Sequence, residues 1–193
     1  MAERFFKKRK IVVSNASPLI FSAKIGILDL LQKLYGKLYV PPMVDRETRE
    51  TGRKERAPDA IIVDKAVESG WITVKELSGW AKKEVGALLR TPGLHKGECE
   101  AIALARQIGA DLLLIDERVG SGAAKAWGLE VIGILGAIIE AMAKGFVTFD
   151  EVKAYFDRLI DVEFGLSSKD YKRALEMAEK VRDELEKRKN RVT

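Results

Sequence analysis

Acidic side chains in this chain fall directly after its most hydrophobic runs, or one turn beyond them. "ADLLLI" is followed by Asp116 and Glu117, and "KLYV" by "PPMVDRE", which presents Glu47 one turn on. The amphipathic stretch "HKGECEAIALARQIG" feeds "ADLLLI" and carries Glu98 and Glu100 in its first turn. After "KIVVS" the equivalent place is held by an amide, Asn15, with Ser17 close by. Carboxylates converging from several segments suit a hard divalent cation, Mg²⁺ or Mn²⁺, which prefers oxygen ligands and keeps waters that a phosphate can displace. Such an ion orients water for attack on a phosphodiester and neutralises charge on the leaving oxygen. One histidine and one cysteine exclude a multi-His site and an internal disulfide, and disfavour zinc.

Each acid also has an ordinary explanation. Glu98 and Glu100 near a helix start are favourable through the helix dipole alone. Asp116 after a strand is a common turn or N-cap residue. Glu47 has Arg46, Arg49 and Arg53 within pairing distance along the sequence. His95 reads as a capping or surface residue and Cys99 as a small core residue. "GSGAAKAWG" lacks the Lys-Ser/Thr pair of a phosphate-binding loop. The joint occurrence of the acids at successive strand ends is what points to a site.

The elements that must position them alternate from the start. "KIVVSN" reads as a buried strand, with Ser17-Pro18 as N-cap and first-turn pair of the helix that follows. "PLIFSAKIGILDLLQKLYG" reads as two short helices bent at Gly26 and stopped by Gly36. "KLYVPP" is a strand, "MVDRETRETG" a helix closed by Gly52, "APDAIIVDKAVESG" a helix capped by Gly70, and "WITVKEL" a strand. A weaker helix spans 78–92, then come the helix of "HKGECEAIALARQIG" and the strand "ADLLLID". "SGAAKAWG" is helical, "LEVIG" the last strand and "ILGAIIEAMAKG" a helix, after which only helices follow. Nearly all-apolar strands separated by helices predict a parallel sheet covered on both faces, a three-layer α/β/α fold. The expected organisation is a basic tail over 1–10, one α/β domain over 11–147, and a helical extension over 148–193 packed on that domain.

Composition bounds the partners. The chain has 193 residues and a formal charge of +5, with 47% hydrophobic residues, enough for one sizeable core. Residues 1–10 and 187–193 each carry +4, so the body between them is at −3. Basic tails are consistent with contact to nucleic-acid phosphates, and equally with solvated termini. No apolar run is long enough to cross a bilayer, and the apolar stretch after the basic start is broken at Ser14-Asn15, so no membrane partner and a cytoplasmic location are expected. Abundant Lys, Arg and Glu with two Asn and two Gln is a thermophile-like composition.

The set of motifs resembles the PIN-domain nucleases, in a prokaryotic branch with a helical C-terminal extension. The matching pieces are "VVSNASPLI", "VPPMVDRE", "LHKGECEAIALA", "DLLLIDERVGSGAAKAWGLEVIG" and "LGAIIEAMAKG", together spanning about 11–145. The resemblance implies a five-stranded parallel sheet and an acidic pocket that binds Mg²⁺ or Mn²⁺ and hydrolyses single-stranded RNA. Many such proteins are toxins of toxin–antitoxin pairs and many are dimers, so it also implies an antitoxin protein and a homodimer. Carried over residue by residue, the first acid falls on Asn15, the second on Glu47, the third on Glu98 and the fourth on Asp116. Glu100 and Glu117 are the alternative acids, and Ser17 matches a small hydroxyl residue that contacts substrate. An amide at position 15 removes one charge and any general-base role there. It therefore opens an alternative reading, a weakened PIN-fold module that binds nucleic acid or protein.

Overall fold

Five short runs of β-branched and leucine residues build the sheet: β1 (Val12–Ser14), β2 (Leu38–Val40), β3 (Ile72–Val74), β4 (Leu112–Leu114) and β5 (Val131–Ile132). They appear in a computed structural model that describes residues 10–50 and 58–190. All neighbours are parallel, in the order β3-β2-β1-β4-β5, with Val13 paired to both Tyr39 and Leu113. β1 and β4 are wholly buried, as central strands covered on both faces must be. The chain order reverses between them, and this switch point opens a crevice beyond their carboxyl ends, where ligands bind in open α/β sheets.

The helices are α1 (Ala16–Lys24), α2 (Leu28–Tyr35), α3 (Pro42–Asp45), α4 (Pro58–Glu68), α5 (Gly79–Leu88) and α6 (Lys96–Gln107). They continue as α7 (Arg118–Ala126), α8 (Ile134–Ala143), α9 (Phe149–Asp161) and α10 (Ser168–Asn190). Gly26 and Gly36, both at φ +75°, make the bend and the stop expected around α2.

Three local expectations change. The N-cap position of α1 is Asn15, not Ser17, because the chain enters the helix directly from β1. The helix expected over "SGAAKAWG" begins three residues earlier, at Arg118. The helix expected over "MVDRETRETG" is one α-turn, α3, that widens into a π-turn over Arg46–Glu50. The Thr48 hydroxyl donates to the carbonyls of Val44 and Asp45, and π-turns of this kind recur at functional sites. The Gly52 stop and most of the two basic tails lie outside the described residues.

Two apolar clusters hold the layers. One surrounds the sheet and includes Val13, Leu38, Ile102 and Leu113. The other joins Ile25, Ile27 and Leu30 to Ile138, Phe156 and Ala178, packing α8, α9 and α10 against the α1–α2 corner.

Candidate active site

The floor of the crevice is set by β1. The backbone N–H of Asn15 donates to the Leu114 carbonyl at 2.9 Å, which fastens the end of β1 to the end of β4. Asn15 is 3% exposed and occupies an N-cap position, yet its side chain makes no capping bond. Its Nδ2 instead donates to Glu117 Oε2 at 3.1 Å, and its Oδ1 is buried with no partner. Two residues on, the Ser17 hydroxyl donates to Asp116 Oδ2 at 3.2 Å, so Ser17 bridges strand ends and does not cap.

α6 brings two acids inward. Glu98, 3% exposed, accepts from the His95 backbone N–H at 2.8 Å through Oε2, while Oε1 is buried and unpartnered. Glu100 turns toward α3: its Oε2 accepts from the Met43 N–H at 2.9 Å and its Oε1 lies 3.9 Å from Lys96 Nζ. Glu100 thus ties the start of α3 to α6. Glu47, on the π-turn, keeps its carboxylate against α6. Of the three arginines expected beside it, Arg49 is engaged with Asp45 at 2.5 Å and Asp64 at 3.3 Å, and Arg53 lies outside the described residues. Asp116 is held at both oxygens, Oδ1 accepting from the Ile134 N–H at 2.7 Å where α8 begins.

Three glycines that sequence reasoning passed over seat three of these carboxylates. A Cβ on Gly97 would stand 2.5 Å from Glu47 Oε2, and one on Gly120 would stand 2.5 Å from Glu98 Oε1 and 2.6 Å from Ile115 Cδ1. On Gly133 it would meet Asp116 Oδ1 at 2.7 Å. No side chain larger than hydrogen fits those three places without moving an acid. The trace in the sequence is a glycine inside a helix at 97 and 120, where helix formers are preferred, while Gly133 passes as an ordinary N-cap.

The electrostatics follow from burial and crowding. Burial holds the Glu47 carboxyl above its ordinary range, and the charges of Glu100, Glu117 and Glu98 push further in the same direction. Burial also raises Glu98, with Glu117 adding to it against the His95 N–H bond. Asp116 is pushed up to about 7, chiefly by burial and partly by Glu117, despite the bonds from Ile134 and Ser17. Glu117 is the one acid that acts on the other three.

Beyond Asp116 the crevice widens into a cavity of about 490 Å³. It is lined by Ser17, Asp116, Glu117 and Arg118, and by Phe164 and Gly165 of the α9–α10 connection. The structure thus gathers Asn15, Ser17, Glu47, Glu98, Asp116 and Glu117 at the switch point, while Glu100, whose charge still acts on Glu47, is bonded to the Met43 N–H.

The donor set fits a hard cation. Two buried oxygens, Asn15 Oδ1 and Glu98 Oε1, lack any partner, and no lysine or arginine neutralises Glu47, Glu98 or Asp116 among the described residues. Among those residues no three carboxylate, imidazole or thiol groups close on a common point. Mg²⁺ does not require that, since it is commonly held by one or two carboxylates and completes its shell with water and phosphate.

The sequence profile of the PIN domain family matches residues 11–180, from β1 through most of α10. No curated protein matches the chain.

Proposed function

The chain belongs to the PIN-domain family, whose members are generally nucleases, and from that membership and this pocket we propose a divalent-metal-dependent endoribonuclease acting on single-stranded RNA. The observation that carries the reading is the pair of orphaned buried oxygens, Asn15 Oδ1 and Glu98 Oε1, in a crevice of un-neutralised carboxylates. One or two carboxylates from among Glu98, Glu47 and Asp116, together with Asn15, would hold Mg²⁺ or Mn²⁺, with water completing the shell. When bound, the ion supplies charge neutralisation at the phosphate and activation of the attacking water.

The chain's own residues do the rest. Asp116, fixed by the Ile134 N–H and the Ser17 hydroxyl, keeps one orientation at the mouth of the cavity. The Ser17 hydroxyl has one rotatable proton, which can turn from Asp116 to a substrate phosphate oxygen while the Ile134 N–H still holds Asp116. Arg118 stands beside Asp116 and Glu117 on the cavity wall, with no ion pair among the described residues, suited to a backbone phosphate. Phe164, which packs edge-to-face with Phe21, lines the same cavity and offers an aromatic side chain of the kind on which unpaired bases stack.

The test is cleavage of an end-labelled single-stranded RNA with Mn²⁺ and with EDTA, for wild type and Glu98→Gln. Cleavage that needs the ion and is lost in the variant supports the proposal. Wild type that binds the RNA and leaves it intact under both conditions supports the alternative, a PIN-fold binding module. The antitoxin and the homodimer belong to the same proposal. Light scattering on the purified chain tests the second: a monomer at micromolar concentration removes it.

A further inference from the structure

Asn15 and Glu117 behave as a pair. Glu117 is exposed at the start of α7, where a glutamate would ordinarily extend into water. Among the described residues its carboxylate makes one hydrogen bond, to Asn15 Nδ2 at 3.1 Å. Asn15 can reach it because its backbone is bonded to Leu114, three residues before Glu117, and because its side chain makes no capping bond. Only one orientation of the amide places a donor on a carboxylate; that orientation leaves Oδ1 facing the buried side without a partner.

We propose that Asn15 is a positioning residue that draws the Glu117 carboxylate into the crevice, making Glu117 a fourth acid of the pocket beside Glu47, Glu98 and Asp116. The inference rests on the metal-dependent reading for its functional consequence, but the pairing itself does not. The amide then has a positive role: a neutral donor tolerates Glu117 at hydrogen-bond distance where a carboxylate would repel it. The field of Glu117 on Glu47, Glu98 and Asp116 agrees with a carboxylate held between them. Asn15 is the link that converts a surface glutamate into a site residue.

Two cycles test this. In the first, Mn²⁺ affinity is measured by calorimetry for Asn15→Ala, Glu117→Gln and the double variant. Each single change is expected to weaken binding about tenfold, the lower end for residues that orient a ligand. The double variant is expected to lose no more than Asn15→Ala alone, because that change already releases Glu117. Additive losses would overturn the pairing. In the second, melting temperature is read without metal. Asn15→Asp, which sets two carboxylates together, is expected to lower it, and adding Glu117→Gln to restore it by exchanging donor and acceptor. Failure of the exchange to restore it overturns the inference. If wild type binds no Mn²⁺, the metal-dependent reading fails, and the second cycle alone decides the pairing.

Discussion

Glu98 and Glu140 are glutamates drawn into the protein, and their surroundings treat them in opposite ways. Glu140 accepts from the Tyr35 hydroxyl at 2.9 Å and from Lys144 Nζ at 2.8 Å. Burial pushes its pKa up, but the bonds from Lys144 and Tyr35, with the charges of Lys144 and Lys10, bring it below the ordinary range. Glu98 has one backbone donor, a second oxygen with none, and Glu117 as a like-charged neighbour, and its pKa is raised. Glu140 is a finished interaction that fastens α2 to α8. Glu98 is an unfinished one, which a fold retains only where something else completes it, and perturbed carboxylates in a crevice mark such places.

Exchanging each glutamate for glutamine breaks this contrast if it is wrong. Glu98→Gln is expected to reduce metal-dependent cleavage at least about a hundredfold, a size typical of losing a positioned catalytic group. In EDTA the same variant should melt higher than wild type, since a buried charge among like charges has been removed. Glu140→Gln should do the reverse: cleavage unchanged and the melting temperature lowered. A Glu98→Gln protein that is less stable without metal would make Glu98 a structural residue like Glu140.

The next effect is a pH dependence. Asp116 titrates near 7 in the folded protein, above its unfolded value of about 3.9. Between those values the folded state holds a proton that the unfolded state has released, so stability falls as pH rises through this window. Melting of the metal-free protein from pH 4 to pH 8 should show this decline relative to Asp116→Asn, in which it is absent. Mn²⁺ affinity should rise over the same range as the ion displaces the proton. A wild-type profile parallel to that of Asp116→Asn would remove the raised pKa.

Much of this arrangement was legible beforehand. Five apolar runs between helical periodicities lead to the five-stranded parallel sheet; the acids that follow them single out Glu47 and Asp116, and the family resemblance adds Asn15 and selects Glu98 over Glu100. What stayed hidden depends on side-chain direction. Glu98 and Glu100 share a helical turn, and nothing local says that one faces the crevice and the other the N–H of Met43. Asp116 and Glu117 are adjacent, and only the position of Asn15 gives Glu117 a role. Ser17-Pro18 has good capping chemistry, but the strand feeds the helix two residues sooner. The seats at Gly97, Gly120 and Gly133 are contacts between segments far apart in sequence, which no local pattern records.

Those seats sharpen the contrast further, because they alter a carboxylate's position and leave its charge in place. Gly97→Ala meets only the movable end of Glu47, so stability should hold while Mn²⁺ affinity falls several-fold. Gly120→Ala meets both Glu98 and Ile115, so it should also destabilise by about 1–3 kcal/mol, as overpacking does. Gly86, on α5 with open space around it, is the control. Gly86→Ala should stabilise by about 0.8–1 kcal/mol through helix propensity and leave metal binding alone. Equal metal affinity in all three variants would mean that the glycine contacts do not position the acids.

The smallest effect on metal binding and cleavage is expected on the finished side. Tyr35 is 6% exposed, and its hydroxyl pKa is raised by burial and by the charge and hydrogen bond of Glu140. Tyr35→Phe keeps the ring in its packing and removes one donor from Glu140, whose other oxygen remains with Lys144. The cost should be about 1–2 kcal/mol, the worth of a hydrogen bond to a charged group whose acceptor stays partly satisfied. That is a fall of about 2–8 °C in melting temperature for a chain of this size. Metal affinity and cleavage should match wild type, because Glu140 lies about 9 Å further along α8 than Ile134, whose N–H holds Asp116. A cleavage defect in Tyr35→Phe without a matching loss of stability would show that the two glutamates are coupled, and that this distance along α8 does not separate finished from unfinished interactions.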